Sequence, residues 1–142
     1  DEYVIGYGGG QIIDDELNTI LLQPVANNPN VHMRMIFDCC HAATMVDPVG
    51  NRDGTNRIDG PANISILTGC KDSEQSEEDV LGGKQQGALT YHYIKYLERY
   101  PNITTGSLRE RIEWDLRNVK GMAPFYQTPQ YYNTASGATS AW

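Results

Sequence analysis

Apolar residues in this chain fall into short runs set off by turn-forming residues. The strongest run is Val31-His32-Met33-Arg34-Met35-Ile36-Phe37, which follows the turn-formers Asn27, Asn28, Pro29 and Asn30 and predicts a buried strand. Ile64-Ser65-Ile66-Leu67-Thr68 predicts a second strand, and residues 129–134 a final one. Elsewhere the spacing is helical. Leu17, Ile20 and Leu21 share one face of a helix that Asp14 or Asp15 can N-cap, with Pro24 near its end. Leu89, Tyr93, Tyr96, Leu97 and Tyr100 predict a helix over 86–99, stopped by Pro101. Ser107-Leu108-Arg109-Glu110 has the form of a capping box, with Leu108, Ile112, Leu116 and Val119 as the buried stripe behind it. Strands alternating with helices predict a parallel sheet covered on both faces.

The polar stretches predict loops. Residues 46–63 are rich in Gly, Pro, Asn and Asp and predict an exposed loop; residues 72–79 predict a second, acidic one. Gly8-Gly9-Gly10 reads as a flexible loop rather than a phosphate cradle, because the P-loop Lys and a spaced GxGxxG are both absent.

Composition narrows the function classes. A chain of 142 residues suits one domain with a real core. Apolar content of 39% and charged content of 20% fit a globular chain. The net charge of −7 argues against a nucleic-acid partner. No apolar run approaches the ~20 residues that span a membrane, so no membrane partner is expected. The chain starts with Asp1 rather than Met and reads as a fragment of a longer protein. Three cysteines, two of them adjacent, do not make a disulfide framework and point to a reducing, cytoplasmic setting; a monomer is expected.

The chemistry concentrates where the first strand ends, at Ile36-Phe37-Asp38-Cys39-Cys40-His41-Ala42-Ala43. A Cys beside a His at a strand end is where a thiolate nucleophile is expected. Free Cys is also among the most buried residue types, so two core thiols and a surface His explain the same letters. A third reading is a transition-metal site from Cys39, Cys40, His41 and Cys70, although the CxxC spacing of zinc sites is absent.

Asp38-Cys39-Cys40-His41 resembles the Asp-Ser/Cys-Cys-His-Ser-Gly signature of type I metacaspases, the caspase-like cysteine peptidases. Four further stretches resemble that family in the same order: Ile12-Ile13-Asp14-Asp15-Glu16-Leu17, Gly69-Cys70-Lys71-Asp72 with Gln75-Ser76, Gly87-Ala88-Leu89-Thr90, and Gln127-Thr128-Pro129-Gln130. Ala42-Ala43 stands where the family has Ser-Gly, and Glu77 where it has Ser.

The resemblance implies a caspase-like three-layer αβα sandwich with a mostly parallel sheet, its N-terminal strands missing from this chain. It divides the chain into 1–47, the end of a large-subunit-like region, 48–63, a linker, and 64–142, a small-subunit-like region. It implies a cysteine endopeptidase acting on proteins and peptides with a basic P1 residue. Cys40 would be the nucleophile and Asp38 part of the pocket for P1 Arg or Lys. Caspase-type enzymes carry their catalytic His roughly 50 residues before the Cys. Only 39 residues precede Cys40, so the resemblance places the base upstream of Asp1. It also implies a Ca²⁺ site from Asp14, Asp15 and Asp47, seven residues after Cys40, with Asp1 as the upstream ligand. Arg52 and Arg57 are candidate self-cleavage points in the linker. The alternative is a non-catalytic homologue or fragment that binds Ca²⁺ or a partner protein.

Overall fold

A computed structural model describes residues 3–6, 8–42, 45, 57–118 and 124–142. Asp1, Asp47, Arg52 and Val119 lie outside the described residues. The chain is a mixed α/β structure. In order it runs β1 (Tyr3–Ile5), β2 (Gln11–Ile13), α1 (Asp14–Leu17), a π-helical turn (Asn18–Leu22), α2 (Gln23–Ala26), β3 (His32–Phe37), β4 (Asn63–Thr68), β5 (Glu78–Leu81), β6 (Lys84–Gly87), α3 (Ala88–Arg99), α4 (Thr105–Arg117), β7 (Gln130–Asn133) and α5 (Ala135–Thr139).

The central sheet has the order β3-β4-β7. β3 and β4 pair in parallel, from His32 with Asn63 to Phe37 with Thr68. β7 pairs with β4 antiparallel, from Ser65 with Asn133 to Thr68 with Gln130. Among the described residues this sheet is therefore mixed, not mostly parallel. β4 is its most buried strand, and its side chains alternate between two apolar clusters. Ile64 and Ile66 pack with Leu22, Ala26, Ile58 and Ala62. Leu67 packs with Leu89, Tyr96, Leu108, Ile112 and Leu116 from α3 and α4. Two-residue periodicity in a strand produces that division, and a one-residue register slip would invert it.

Two helical expectations need correction. The first helix buries Asn18, Leu22 and Ala26, while Ile20 is 74% exposed. Pro24 cannot donate a backbone hydrogen bond, and the turn before it widens so that Gln23 N donates to Asn18 O, five residues back. Four-residue spacing then replaces the α-helical stripe. The N-cap here is Ile13, whose N–H is met by the Glu16 carboxylate at 3.4 Å, so Asp14 and Asp15 occupy the first turn rather than the cap. α4 likewise begins before the expected box: Thr104 is its N-cap and Ser107 lies within its first turn. Leu108, Ile112 and Leu116 are fully buried as expected.

Two hairpins overlap the expected loops at 8–10 and 72–79, and the second takes Gln86 and Gly87 from the helix expected over 86–99. β1 and β2 pair antiparallel around Gly8 and Gly9. β5 and β6 pair around Gly82 and Gly83, whose φ values of 61° and 82° are the left-handed pair that a tight two-residue hairpin turn needs.

Candidate active site

The parallel register sets the site. Phe37 and Thr68 are partners, so β3 and β4 stop at the same level and release Asp38-Cys39-Cys40-His41 beside Gly69-Cys70. The crevice beyond the carboxyl ends of parallel strands is where α/β sheets place ligands.

Asp38 is half-buried and holds three donors. Its Oδ1 accepts from Ser76 Oγ at 2.6 Å; its Oδ2 accepts from Thr90 N at 2.9 Å and Thr90 Oγ1 at 2.6 Å. Thr90 is the third residue of α3, and Gly87, its N-cap, has no side chain to offer. Asp38 therefore caps α3 from another strand, placing a negative charge where the helix N-terminus favours one. Gly87 permits this: a Cβ there would lie 2.1 Å from Asp38 Oδ2. Gly87 and Thr90 of the Gly-Ala-Leu-Thr stretch are thus both in the Asp38 environment.

Cys40 is exposed, and its Sγ lies 3.9 Å from the Ser76 carbonyl. Ser76 thus touches both Asp38 and Cys40. Cys70 is buried and its thiol donates to the carbonyls of Cys39 and Glu74 at 3.5 and 3.4 Å. Burial is the main cause that pushes the Cys70 thiol up, which keeps it protonated. Cys39 retains exposed surface, yet the protein packed beneath it, and then the neighbouring Cys70, push its thiol up as well.

His41 sits in a turn with φ of 54°, and its Nδ1 contacts the Asp72 carbonyl. His32 is exposed at the opposite end of β3, and His92 is buried on α3. Among the described residues no histidine hydrogen-bonds Cys40. Nor does any group of three or more His, Cys, Asp or Glu side chains converge on a metal position among them. The Cys39, Cys40, His41 and Cys70 metal reading is not supported, because Cys70 and His41 are each turned to a backbone carbonyl.

Asp14 and Asp15 head the first helix. Asp14 Oδ1 is buried without a hydrogen-bond partner among the described residues, and Asp15 is exposed. An orphaned buried carboxylate oxygen fits a hard cation that seeks oxygen ligands. Arg57 is paired with Asp59 at 3.4 Å on the surface.

Sequence reasoning passed over a clamp that holds the 71–77 loop. Gln127 is 1% exposed; its Nε2 donates to Gly69 O at 3.0 Å and its Oε1 accepts from Glu77 N at 2.7 Å. Glu77 Oε1 accepts from Tyr126 N at 2.6 Å, and Glu74 takes both Thr128 N and Thr128 Oγ1 at 2.6 and 2.9 Å. These bonds tie the Gln-Thr-Pro-Gln stretch to the loop that carries Ser76. A second polar group is buried between α3 and α4. His92 Nδ1 lies 3.1 Å from Asp115 Oδ2, without a well-aligned hydrogen bond, and burial lowers its pKa against the pull of Asp115. The Tyr96 phenol beside it is pushed up to about 12, first by burial and then by its bond to Asp115.

A strand-end cysteine beside a capped carboxylate is an arrangement of α/β architecture in which a thiolate nucleophile is expected. The comparisons with known proteins make this specific. The profile of the metacaspase, peptidase C14 domain matches residues 7–49. Metacaspase-2 of Arabidopsis thaliana is 31% identical over 117 residues, covering 70% of this chain and 28% of the relative. Metacaspase-1 of Arabidopsis thaliana is 27% identical over 129 residues, covering 78% and 35%. Metacaspase-1B of Aspergillus fumigatus is 23% identical over 146 residues, covering 66% and 35%. The chain belongs to the metacaspases, a cysteine peptidase family. It spans about a third of the length of these curated relatives.

Proposed function

We propose that the whole protein is a cysteine endopeptidase that cleaves after Arg or Lys and depends on Ca²⁺, built on a caspase-like three-layer sandwich. The observation that supports this is the shared edge of β3 and β4, where Ser76 contacts both the Asp38 carboxylate and the Cys40 thiol. Cys40 Sγ attacks the scissile carbonyl carbon, forming a thioester as the peptide nitrogen leaves with a proton; water then releases the acid and restores the thiol. The proton acceptor is a histidine supplied by sequence outside this chain. Cys70 is buried, and the Cys39 thiol, though exposed, is pushed up by the protein packed beneath it; Cys40 is the exposed sulfur that lies against the Ser76 carbonyl. A carboxylate offers about four lone-pair positions, and Asp38 uses three of them within the protein. A P1 guanidinium takes the remaining position and competes with the Ser76 hydroxyl. Asp14, with Asp15, Asp47 and Asp1, would hold Ca²⁺, a hard cation that takes carboxylate oxygens. Arg52 and Arg57 are the self-cleavage points of this reading.

The test is an Arg-directed covalent peptide inhibitor on the full-length protein. It should label Cys40; Cys40→Ala should abolish cleavage, and Cys39→Ala should retain most of it. Equal loss in the two variants would sink the assignment. A full-length protein that neither takes the label nor cleaves Arg peptides would support the second reading, a non-catalytic homologue. The feature behind that second reading is the set of His32, His41 and His92, none of which bonds Cys40.

A further inference from the structure

Asp38 binds the start of α3. The other end of that helix carries a different chemistry, about 18 Å along its axis. An open surface cavity of about 460 Å³ lies there, with Arg99, Tyr100, Asn102, Thr104, Ser107 and Arg111 in its lining. That volume is within the range of small-ligand pockets. Its two guanidiniums lie over the ring of Tyr100, 5.5 Å and 4.5 Å from the centroid. Among the described residues neither Arg99 nor Arg111 pairs with a carboxylate, whereas Arg57, Lys95, Arg109 and Arg117 each do. Asp115, the acid one turn from Arg111, is already engaged by Lys95 at 2.6 Å.

This is a charge imbalance opposite in sign to that of the chain, whose net charge is −7. Stacking on Tyr100 orients the guanidinium planes and reduces what a ligand must immobilise. The start of α4 adds to the same wall. Its N-cap, Thr104, accepts no backbone N–H of the first helical turn with its side chain; its hydroxyl donates instead to Ser107 Oγ at 3.3 Å. Ser107, whose hydroxyl meets that of Thr104, lines the same wall. Two unpaired guanidiniums, two neutral hydroxyls and an uncapped helix start suit a tetrahedral anion with several acceptor oxygens.

We propose that this cavity binds a small phosphate-bearing ligand, at a site separate from the cysteine crevice. The probe is sodium pyrophosphate, titrated calorimetrically into the full-length protein at constant ionic strength, with citrate as a carboxylate comparison. Pyrophosphate should bind saturably at one site. Arg99→Gln/Arg111→Gln should weaken it by about tenfold or more. Arg117→Gln, which removes a surface arginine already paired with Glu113, should leave it unchanged. The thermal melt of the double variant must match the parent. If it does not, the side-chain Nε resonances of Arg99 and Arg111 in the parent protein decide the matter: selective, saturable shifts support the site. Shifts spread evenly over all arginines, equal weakening by Arg117→Gln, absence of saturation, or citrate binding as well as pyrophosphate would each overturn the proposal.

Discussion

Replacing Gly87 with Ala is a direct test of how Asp38 is held. Gly87 has φ −63° and ψ 140°, which any residue tolerates, so backbone strain is not the issue. The new methyl carbon would stand 2.1 Å from Asp38 Oδ2 and 2.7 Å from its Cγ. Neither contact can exist, and the carboxylate must swing away. It then loses Thr90 N, Thr90 Oγ1 and the alignment of Ser76 Oγ. Loss of a helix cap costs about 1 kcal/mol. A hydrogen bond to a charged group contributes about 1.5–3 kcal/mol, toward the lower figure for a half-exposed carboxylate. Against these stands a gain of about 0.4–1 kcal/mol from the lower unfolded-state entropy of Ala. The net expectation is a destabilisation of about 2–3 kcal/mol, read by denaturant titration. Thr90→Val keeps the N–H and removes only the hydroxyl, so it should cost about 1–1.5 kcal/mol. On full-length protein, Gly87→Ala should also raise KM for an Arg peptide if Asp38 holds the P1 side chain as proposed, because that carboxylate has moved. A Gly87→Ala protein within about 0.5 kcal/mol of the parent would refute the close packing of Asp38 on α3.

Three other outcomes can be measured. Calorimetry should show Ca²⁺ binding in the full-length protein that disappears in Asp14→Ala/Asp15→Ala, and unchanged heat would mean that these acids serve only the helix start. His92 has a pKa lowered from 6.5 by burial, opposed by Asp115 and reinforced by Lys95, with Tyr96 also bonded to Asp115. Below that value the unfolded chain binds the proton first, so this stabilisation is complete above pH 6.5 and lost as the pH falls. The drop in Tm between about pH 7.5 and about pH 5.5 should be larger in the parent than in His92→Gln, and equal drops would exclude His92 as the cause. Adding Ca²⁺ to the full-length protein should create new N-termini at Asp53 or Ile58, absent in Cys40→Ala; a chain that stays intact while cleaving Arg peptides would refute self-processing.

The strands β3 and β4 are legible in the sequence because they are apolar enough to announce a core, and the register of α4 is legible because Leu108, Ile112 and Leu116 face one way. Direction is not encoded in hydrophobicity. The antiparallel run of β7 is invisible to a reading that takes alternating strands and helices as parallel units. β5 and β6 are masked by Glu78, Asp79, Lys84 and Gln86, although Gly82-Gly83 between them was a hairpin signal. The widened turn ahead of Pro24 shifts the buried face by one residue, which no fixed period anticipates. At the site, adjacency on the chain exposed Asp38, Cys40 and His41. The Asp38–Thr90 contact joins residues 52 apart, and the Gln127–Gly69 contact residues 58 apart. Spacing within a motif carries no information about such pairs.

The six-pair register of β3 with β4 and the three bonds that Asp38 receives all run from the chain before the linker to the chain after it. The two segments are therefore mated by a strand interface and a half-buried carboxylate, not only by the peptide bonds between them. A single nick in the linker converts one polypeptide into a non-covalent heterodimer with its crevice still assembled. The piece that carries β3 would not keep that geometry alone, since β3 would lose the strand that sets its level and Asp38 the helix that it caps. Separation of the fragments, rather than the cut itself, would be the event that dismantles the site.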